Sequence, residues 1–184
     1  MRQLQIGQQP GIAIVTRTID VGVKRETVAG CRCPGNGKTD TLNCIAFAAV
    51  GRWVIGNRAN GITGILAVGT TGESPVLSWE EHNKVIEVVA SKTKNNCLCI
   101  AGTGSNNTKE AIVATEHAVK SGADAALLVD PYYNGPSSLE IRKEYVGPVA
   151  KAFPDVEVIP YVIPGRTGAQ LLPEDLALLN KEFP

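Results

Sequence analysis

The chain alternates between short apolar runs and longer stretches in which apolar residues recur every three or four positions. Five runs are short and rich in aliphatic residues: Gly11 to Thr16, Ile62 to Val68, Cys97 to Ala101, Ala125 to Val129 and Val156 to Val162. Continuous apolar runs of this length predict strands buried on both faces, as in a parallel sheet. Between them the period lengthens to that of a helix. One stripe, from Asp40 to near Gly56 to Gly61, is Leu42, Ile45, Ala46, Ala49, Val50 and Trp53. A second is Val85, Ile86, Val89 and Ala90, and a third is Ala111, Ala114, Ala118 and Val119. Ser78 followed by Glu81 makes a capping box that starts the second helix. Asn107 or Thr108 opens the third and Gly122 closes it. A further helix is expected from Ser138 to Phe153. The last begins near Pro173, with Glu174 and Asp175 in the first turn, where the helix dipole favours acids.

Five βα units in strict alternation predict a parallel sheet with helices packed outside it. Two architectures satisfy that pattern. An open doubly wound sheet fits the length, because a closed barrel needs eight units and typically about 250 residues. The turns favour the barrel. After the second to fifth strands come Gly69-Thr70-Thr71-Gly72-Glu73-Ser74, Gly102-Thr103-Gly104, Asp130-Pro131-Tyr132-Tyr133-Asn134 and Ile163-Pro164-Gly165-Arg166-Thr167-Gly168. Hydroxyls, glycines and aromatics gathered at that end of a sheet are the arrangement of a barrel's C-terminal mouth. In the first of these turns, two threonines offer hydroxyls and N–H groups that could hold a small carboxylate, and the flanking glycines let the backbone approach it. The same six residues also read as a plain βα turn.

From Arg17 to Gly37 no period is sustained, and the stretch reads as a loop or an inserted excursion. Gly35-Asn36-Gly37-Lys38-Thr39 imitates a phosphate-binding loop, but Arg32 stands where that motif needs its first glycine. Cys31 and Cys33 would need two more ligands to hold zinc, and Cys97 and Cys99 fit a core better. Neither nucleotide, metal nor cofactor is expected.

At 184 residues the chain has the length of one well-buried domain. Its 18 basic and 18 acidic residues cancel, and no basic stripe interleaved with aromatics marks a nucleic-acid surface. The opening MRQLQIGQQPG lacks an apolar targeting core, and no window is apolar enough to span a bilayer. The expectation is a cytoplasmic protein with its five cysteines reduced.

Taken together, GTTGES (69–74), IAGTGSNNT (100–108), PYYN (131–134) and YVIPGRTG (161–168) resemble the dihydrodipicolinate synthase family, pyruvate-dependent aldolases and lyases built on the (β/α)8 barrel. The resemblance runs from about Gly61 to Pro184, some two-thirds of the chain. Upstream it fades, since Thr16 is followed by Arg17 where the family has Thr-Pro. The resemblance implies an α/β protein of the TIM-barrel class truncated to about its first five βα units. Residues 1–184 would then be one partial barrel domain, with 17–37 as an insertion or irregular loop.

The resemblance also implies an activity: condensation of pyruvate, held as a Schiff base on a lysine, with aspartate semialdehyde, on the way to lysine and diaminopimelate. Thr70 matches the threonine that joins two tyrosines in a proton relay. Tyr161 matches the tyrosine beside the Schiff base, and Tyr133 the tyrosine lent to a neighbouring subunit. Thr71, with Gly69 beside it, matches the position that holds the pyruvate carboxylate. Arg166 matches the arginine that receives the carboxylate of the aldehyde substrate, a task suited to a forked cation. Ser74, Trp79, His82, Asn106, Glu110 and Tyr132 match the region where lysine binds between subunits as a feedback inhibitor. Family members are usually tetramers of tight dimers, so the resemblance implies a homo-oligomer, dimer or tetramer, for the full-length protein.

Two departures accompany the resemblance. Val162 stands where asparagine is frequent. The Schiff-base lysine belongs to a sixth strand past Pro184, whereas Lys151 and Lys181 fall on outer helices. This stretch alone is therefore expected to be an inactive N-terminal fragment with exposed sheet edges.

Other readings stay open. Sister lyases acting on N-acetylneuraminate or other hydroxy-oxo acids share the barrel, although Arg166 in its GRTG setting and the Thr70-Thr71 pair favour the synthase. A non-catalytic open-sheet protein binding a small anion explains the length but leaves four motifs as coincidence. His82 and His117, on helices, also read as surface or packing residues. Tyr132 and Tyr133 read as packing aromatics or, if extended, as side chains pointing to opposite faces.

Overall fold

The computed structural model describes the strand Ile12–Ile14 and residues 63–184. Five parallel strands pair in the order of the chain: β1 (Ile12–Ile14), β2 (Gly64–Ala67), β3 (Leu98–Gly102), β4 (Ala125–Val129) and β5 (Glu157–Tyr161). A doubly wound sheet reverses its order partway, at the crevice where its ligand binds. This sheet does not reverse. Sequential parallel pairing is that of consecutive barrel strands, so the architecture favoured by the turns prevails over the one favoured by length.

The helices described are α1 (Trp79–Thr93), α2 (Thr108–Lys120), the composite α3 (Ser138–Glu140, Ile141–Val146 and Gly147–Ala152), the short α4 (Pro164–Thr167) and α5 (Pro173–Glu182). Alternation along each strand divides the apolar residues between two faces. Ile65, Ala67, Cys99 and Ala101 pack with Ile86, Val89 and Ala90 of α1 and Ala118 of α2. Further along, Leu128 packs with Ala111 of α2 and with Ile141, Tyr145 and Val149 of α3. The opposite face carries Leu66, Ile100, Ala125 and Leu127 in adjoining register. Apolar residues on both faces are why the strands read as unbroken runs.

Local signals place the helix starts. Ser78 accepts from the Glu81 N–H at 3.3 Å while Glu81 accepts from the Ser78 N–H at 3.0 Å, the reciprocal pairing of a capping box. Asn107 caps α2 through the Lys109 N–H, Gly122 follows it with φ of 93°, and α5 begins at Pro173. Ser137 and Glu140 make a second capping box, at the start of α3, which the periodicity did not single out.

The middle of α3 departs from the continuous helix expected over 138–153. Ile141–Val146 is π-helical, and the Gly147 N–H reaches back five residues to the Arg142 carbonyl. Pro148 has no N–H to offer the Glu144 carbonyl. That carbonyl accepts instead from the Thr108 hydroxyl, at 2.8 Å, which ties α3 to the start of α2.

Cys99 is buried and Cys97 only half-buried. Among the described residues no cluster of metal-binding side chains occurs, and no helix is long and apolar enough to cross a membrane. The expected helix from Asp40, the Arg17 to Gly37 excursion, the Gly35 to Thr39 loop and Cys31 and Cys33 lie outside the described residues.

Candidate functional site

The four polar turns converge at the C-terminal ends of β2 to β5. Between them opens a cleft of about 170 Å³ whose lining includes Gly69, Thr70, Ser74, Tyr132, Ile163 and Arg166. A barrel delivers residues from different strands to one mouth in this way.

β2 ends in a sharp change of direction. Val68 takes a left-handed φ of 48°, and Gly69 then returns to extended backbone. Thr70–Gly72 forms a tight turn, closed by the Gly72 N–H on the Gly69 carbonyl at 2.8 Å and the Glu73 N–H on the Thr70 carbonyl at 3.1 Å. The turn can lie so low over β3 only because residue 102 is glycine: a Cβ there would sit 2.5 Å from the Val68 oxygen. At residue 104 the same holds, since a Cβ would sit 2.5 Å from the Val129 nitrogen. These contacts give the glycines of the turn after β3 a physical reason.

On the far side of the cleft, the Tyr132 N–H donates to Asn106 Oδ1 at 2.8 Å. Burial, and then the charge of Glu110, push the Tyr132 hydroxyl above the usual phenol range. Glu110 Oε2 accepts from the Ser105 hydroxyl at 2.6 Å. Asn106, Glu110 and Tyr132 are thus brought into one network, with Ser74 and Tyr132 on the cleft wall. Trp79 and His82 pair on α1, their rings edge to face at 5.0 Å. His82 is 2 % exposed, so it is a packed residue rather than a surface one. Burial lowers its pKa, an effect opposed by Asn83 and the Gly102 carbonyl nearby and reinforced by His117. His117 lies 3.4 Å from Glu87.

Tyr161 ends β5 opposite Val129 and is half-buried. Tyr133 is 93 % exposed with φ of 87°. The pair Tyr132-Tyr133 is therefore not an extended dipeptide, and alternation does not set where the two rings point. One ring lines the cleft while the other stands in solvent. The side chains of Thr70, Tyr133 and Tyr161 make no hydrogen bond with a described residue, and Arg166 is exposed with no ion pair among them.

Two groups behind the cleft escaped the reading of motifs. Tyr145 is buried and its hydroxyl accepts from the Ser105 N–H at 3.0 Å, which fixes the turn after β3 from beneath. Burial drives its pKa far above the usual phenol range. Its spacing of four residues from both Ile141 and Val149 puts it on the apolar stripe of α3, a signal available in the sequence. Asp130 is fully buried at the end of β4. One of its oxygens accepts from the Leu171 N–H at 3.1 Å and the other has no partner. Burial raises its pKa, and the bond from Leu171 opposes that only in part.

Known proteins resemble this chain in sequence and fold. Residues 40–183 match the model of the dihydrodipicolinate synthetase family. A 4-hydroxy-tetrahydrodipicolinate synthase of Syntrophobacter fumaroxidans is 49 % identical over 123 residues, covering 67 % of this chain and 42 % of that relative. The crystal structure of dihydrodipicolinate synthase from Aquifex aeolicus superposes with a TM-score of 0.70 at 41 % identity, covering 74 % of this chain and 46 % of that one. The synthase of Cyanidioschyzon merolae, solved with lysine bound, gives a TM-score of 0.71 at 38 % identity over 75 % of this chain and 46 % of its own. The chain thus spans less than half the length of the relatives it matches. Because the family model matches well over half of its residues, the chain belongs to the dihydrodipicolinate synthetase family.

Proposed function

We propose that this chain supplies the substrate-holding half of a 4-hydroxy-tetrahydrodipicolinate synthase site, which condenses pyruvate with aspartate semialdehyde. The observation that carries the proposal is the pairing, across one small cleft, of the Gly69-Thr70 turn with Arg166. Backbone and hydroxyl groups of Gly69, Thr70 and Thr71 hold the pyruvate carboxylate, while the guanidinium of Arg166 receives the carboxylate of the aldehyde. A cation that faces a cleft without a protein carboxylate to neutralise it suits an anionic ligand.

Thr70 and Tyr161 form the relay that moves the proton, each acting at its hydroxyl. Tyr133 completes it in a neighbouring subunit, and its nearly full exposure supports that role. The protein is accordingly a homo-oligomer when it works. Ser74, Trp79, His82, Asn106, Glu110 and Tyr132 form the lysine-binding region that tunes the site. The network joining Asn106, Glu110 and Tyr132 to the cleft wall supports that assignment.

The imine-forming amine is not supplied by the described lysines, because none lines the cleft. Imine formation joins the amine nitrogen to pyruvate C2 with loss of water, and in the proposed site a strand after β5 brings that nitrogen to the mouth. Borohydride trapping tests this. Incubated with pyruvate and borohydride, this chain keeps its mass, whereas a chain extended through the following strands gains one reduced pyruvate adduct and condenses pyruvate with aspartate semialdehyde. A stoichiometric adduct on this chain, or an extended chain that takes pyruvate but not the aldehyde, would overturn the proposal.

A further inference from the structure

Val68 is the only β-branched residue among the described ones with a left-handed backbone, at φ of 48°. For such a side chain that conformation is a genuine outlier. Strained residues persist where their surroundings over-determine them, and they gather at ligand clamps. The surroundings of Val68 do so from both ends. The parallel ladder reaches Ala67, paired with Ala101, immediately before it. Its side chain is 3 % exposed, in the same cluster as Ile65 and Ala67. Its carbonyl passes so close to Gly102 that a Cβ there would meet it at 2.5 Å.

The direction in which the chain leaves the sheet is set at this residue, and Gly69 and Thr70 follow directly. At the far end Glu73 is also left-handed, at φ of 56°, and its N–H closes the turn on the Thr70 carbonyl. Glycine would adopt φ of 48° without strain. It would also place two glycines in succession ahead of the threonines, each free to rotate. Valine anchors the turn through its buried side chain and confines it to a narrow basin.

We propose that Val68 is a positioning residue: its left-handed backbone, pressed against Gly102, holds Gly69 and Thr70 aimed into the cleft before a carboxylate arrives. The inference rests on the carboxylate role given to that turn above. Preorganisation strengthens binding by removing the cost of ordering the turn on contact. The strain in Val68 is thus kept for affinity rather than for stability.

The probe is propionate, a carboxylate that forms no imine, titrated against the chain while the amide shifts of Thr70 and Thr71 are followed. Wild type, Val68→Ala and Val68→Gly are compared. Alanine drops the methyl groups but keeps the Cβ that restricts φ, whereas glycine drops the restriction as well. Thermal stability is expected to be higher in Val68→Gly than in Val68→Ala, because glycine relieves the strain. Propionate affinity is expected in the opposite order. Val68→Ala stays within about twofold of wild type, and Val68→Gly binds about tenfold more weakly, the scale of ordering one residue's backbone. Stability and affinity falling in the same order, or Val68→Gly binding propionate as tightly as wild type, would overturn the positioning role. Absence of a saturable shift in wild type would sink the carboxylate reading itself, and this inference with it.

Discussion

Two polar groupings in this molecule use the same residue types to opposite ends. Between α3 and α5, Arg142 is 8 % exposed and lies 3.2 Å from Asp175 and 3.6 Å from Glu182. Ser138 donates to Asp175 at 2.5 Å and accepts from the Leu172 N–H at 2.8 Å. At the mouth, Arg166 and Thr70 face the cleft with no such partners among the described residues. An arginine and a hydroxyl that find carboxylates within the protein fasten two helices together. The same pair left open at a strand end is available to a ligand. Residue type does not separate these cases; wiring does, because a satisfied charge has little left to offer a substrate.

The largest effect should come from cutting the paired grouping. Arg142→Ala strands Asp175 in a poorly hydrated place, and removing one partner of a buried ion pair costs about 3–5 kcal/mol. Chemical denaturation measures it, and a loss below about 1 kcal/mol would place Arg142 among surface pairs of little worth. Arg166→Ala tests the other side of the contrast. Its stability should stay within about 0.5 kcal/mol of wild type. Under the proposed function, the KM for aspartate semialdehyde of a chain extended through the following strands should rise about 10- to 100-fold, the worth of one charge-assisted hydrogen bond. An unchanged KM would remove Arg166 from the site.

Smaller effects sharpen the comparison. Ser78→Ala removes a capping box remote from both groupings and should cost about 1 kcal/mol, read as a drop in Tm. Asp130 lies between the two cases, buried with one oxygen bonded and the other without a partner. Because its pKa is raised on folding, the folded state binds more protons than the unfolded one above the ordinary carboxylate range. Stability is therefore lost as pH rises through that window. Asp130→Asn should raise Tm by a few degrees at neutral pH, with the gain vanishing in acid, where the native carboxyl is protonated. A gain that persists in acid would mean that charge is not the cause.

Much of the fold was legible because its causes are local. The β4 run from Ala125 to Val129, the Ser78 and Glu81 capping box and the Pro173 helix start each depend on neighbours in sequence, and the structure shows them as expected. The π segment of α3 was not legible, since it arises where Pro148 meets a hydroxyl from α2. The extended geometry considered for Tyr132-Tyr133 failed as well. Tyr133 takes a positive φ, which its residue type does not announce.

At the site, the motifs named Thr70, Tyr132 and Arg166, and these do line the cleft. They gave no role to Asp130 or Tyr145. A buried acid after an apolar run and a tyrosine on a helical stripe look like ordinary core until their partners are known. Nor did they reveal the strain at Val68, because φ is not written in residue type.

The sequence by itself determined the strands, most of the helix starts and the family resemblance, each carried by short-range pattern or motif. The tertiary structure alone decided that the strands pair in sequential order, that four separated turns meet over one cleft, and that Val68 is forced left-handed against Gly102. The physical reason is distance along the chain. Caps and apolar periods are settled among residues a few positions apart, whereas pairing order, strain and shared electrostatics depend on which remote residues the packed sheet brings into contact.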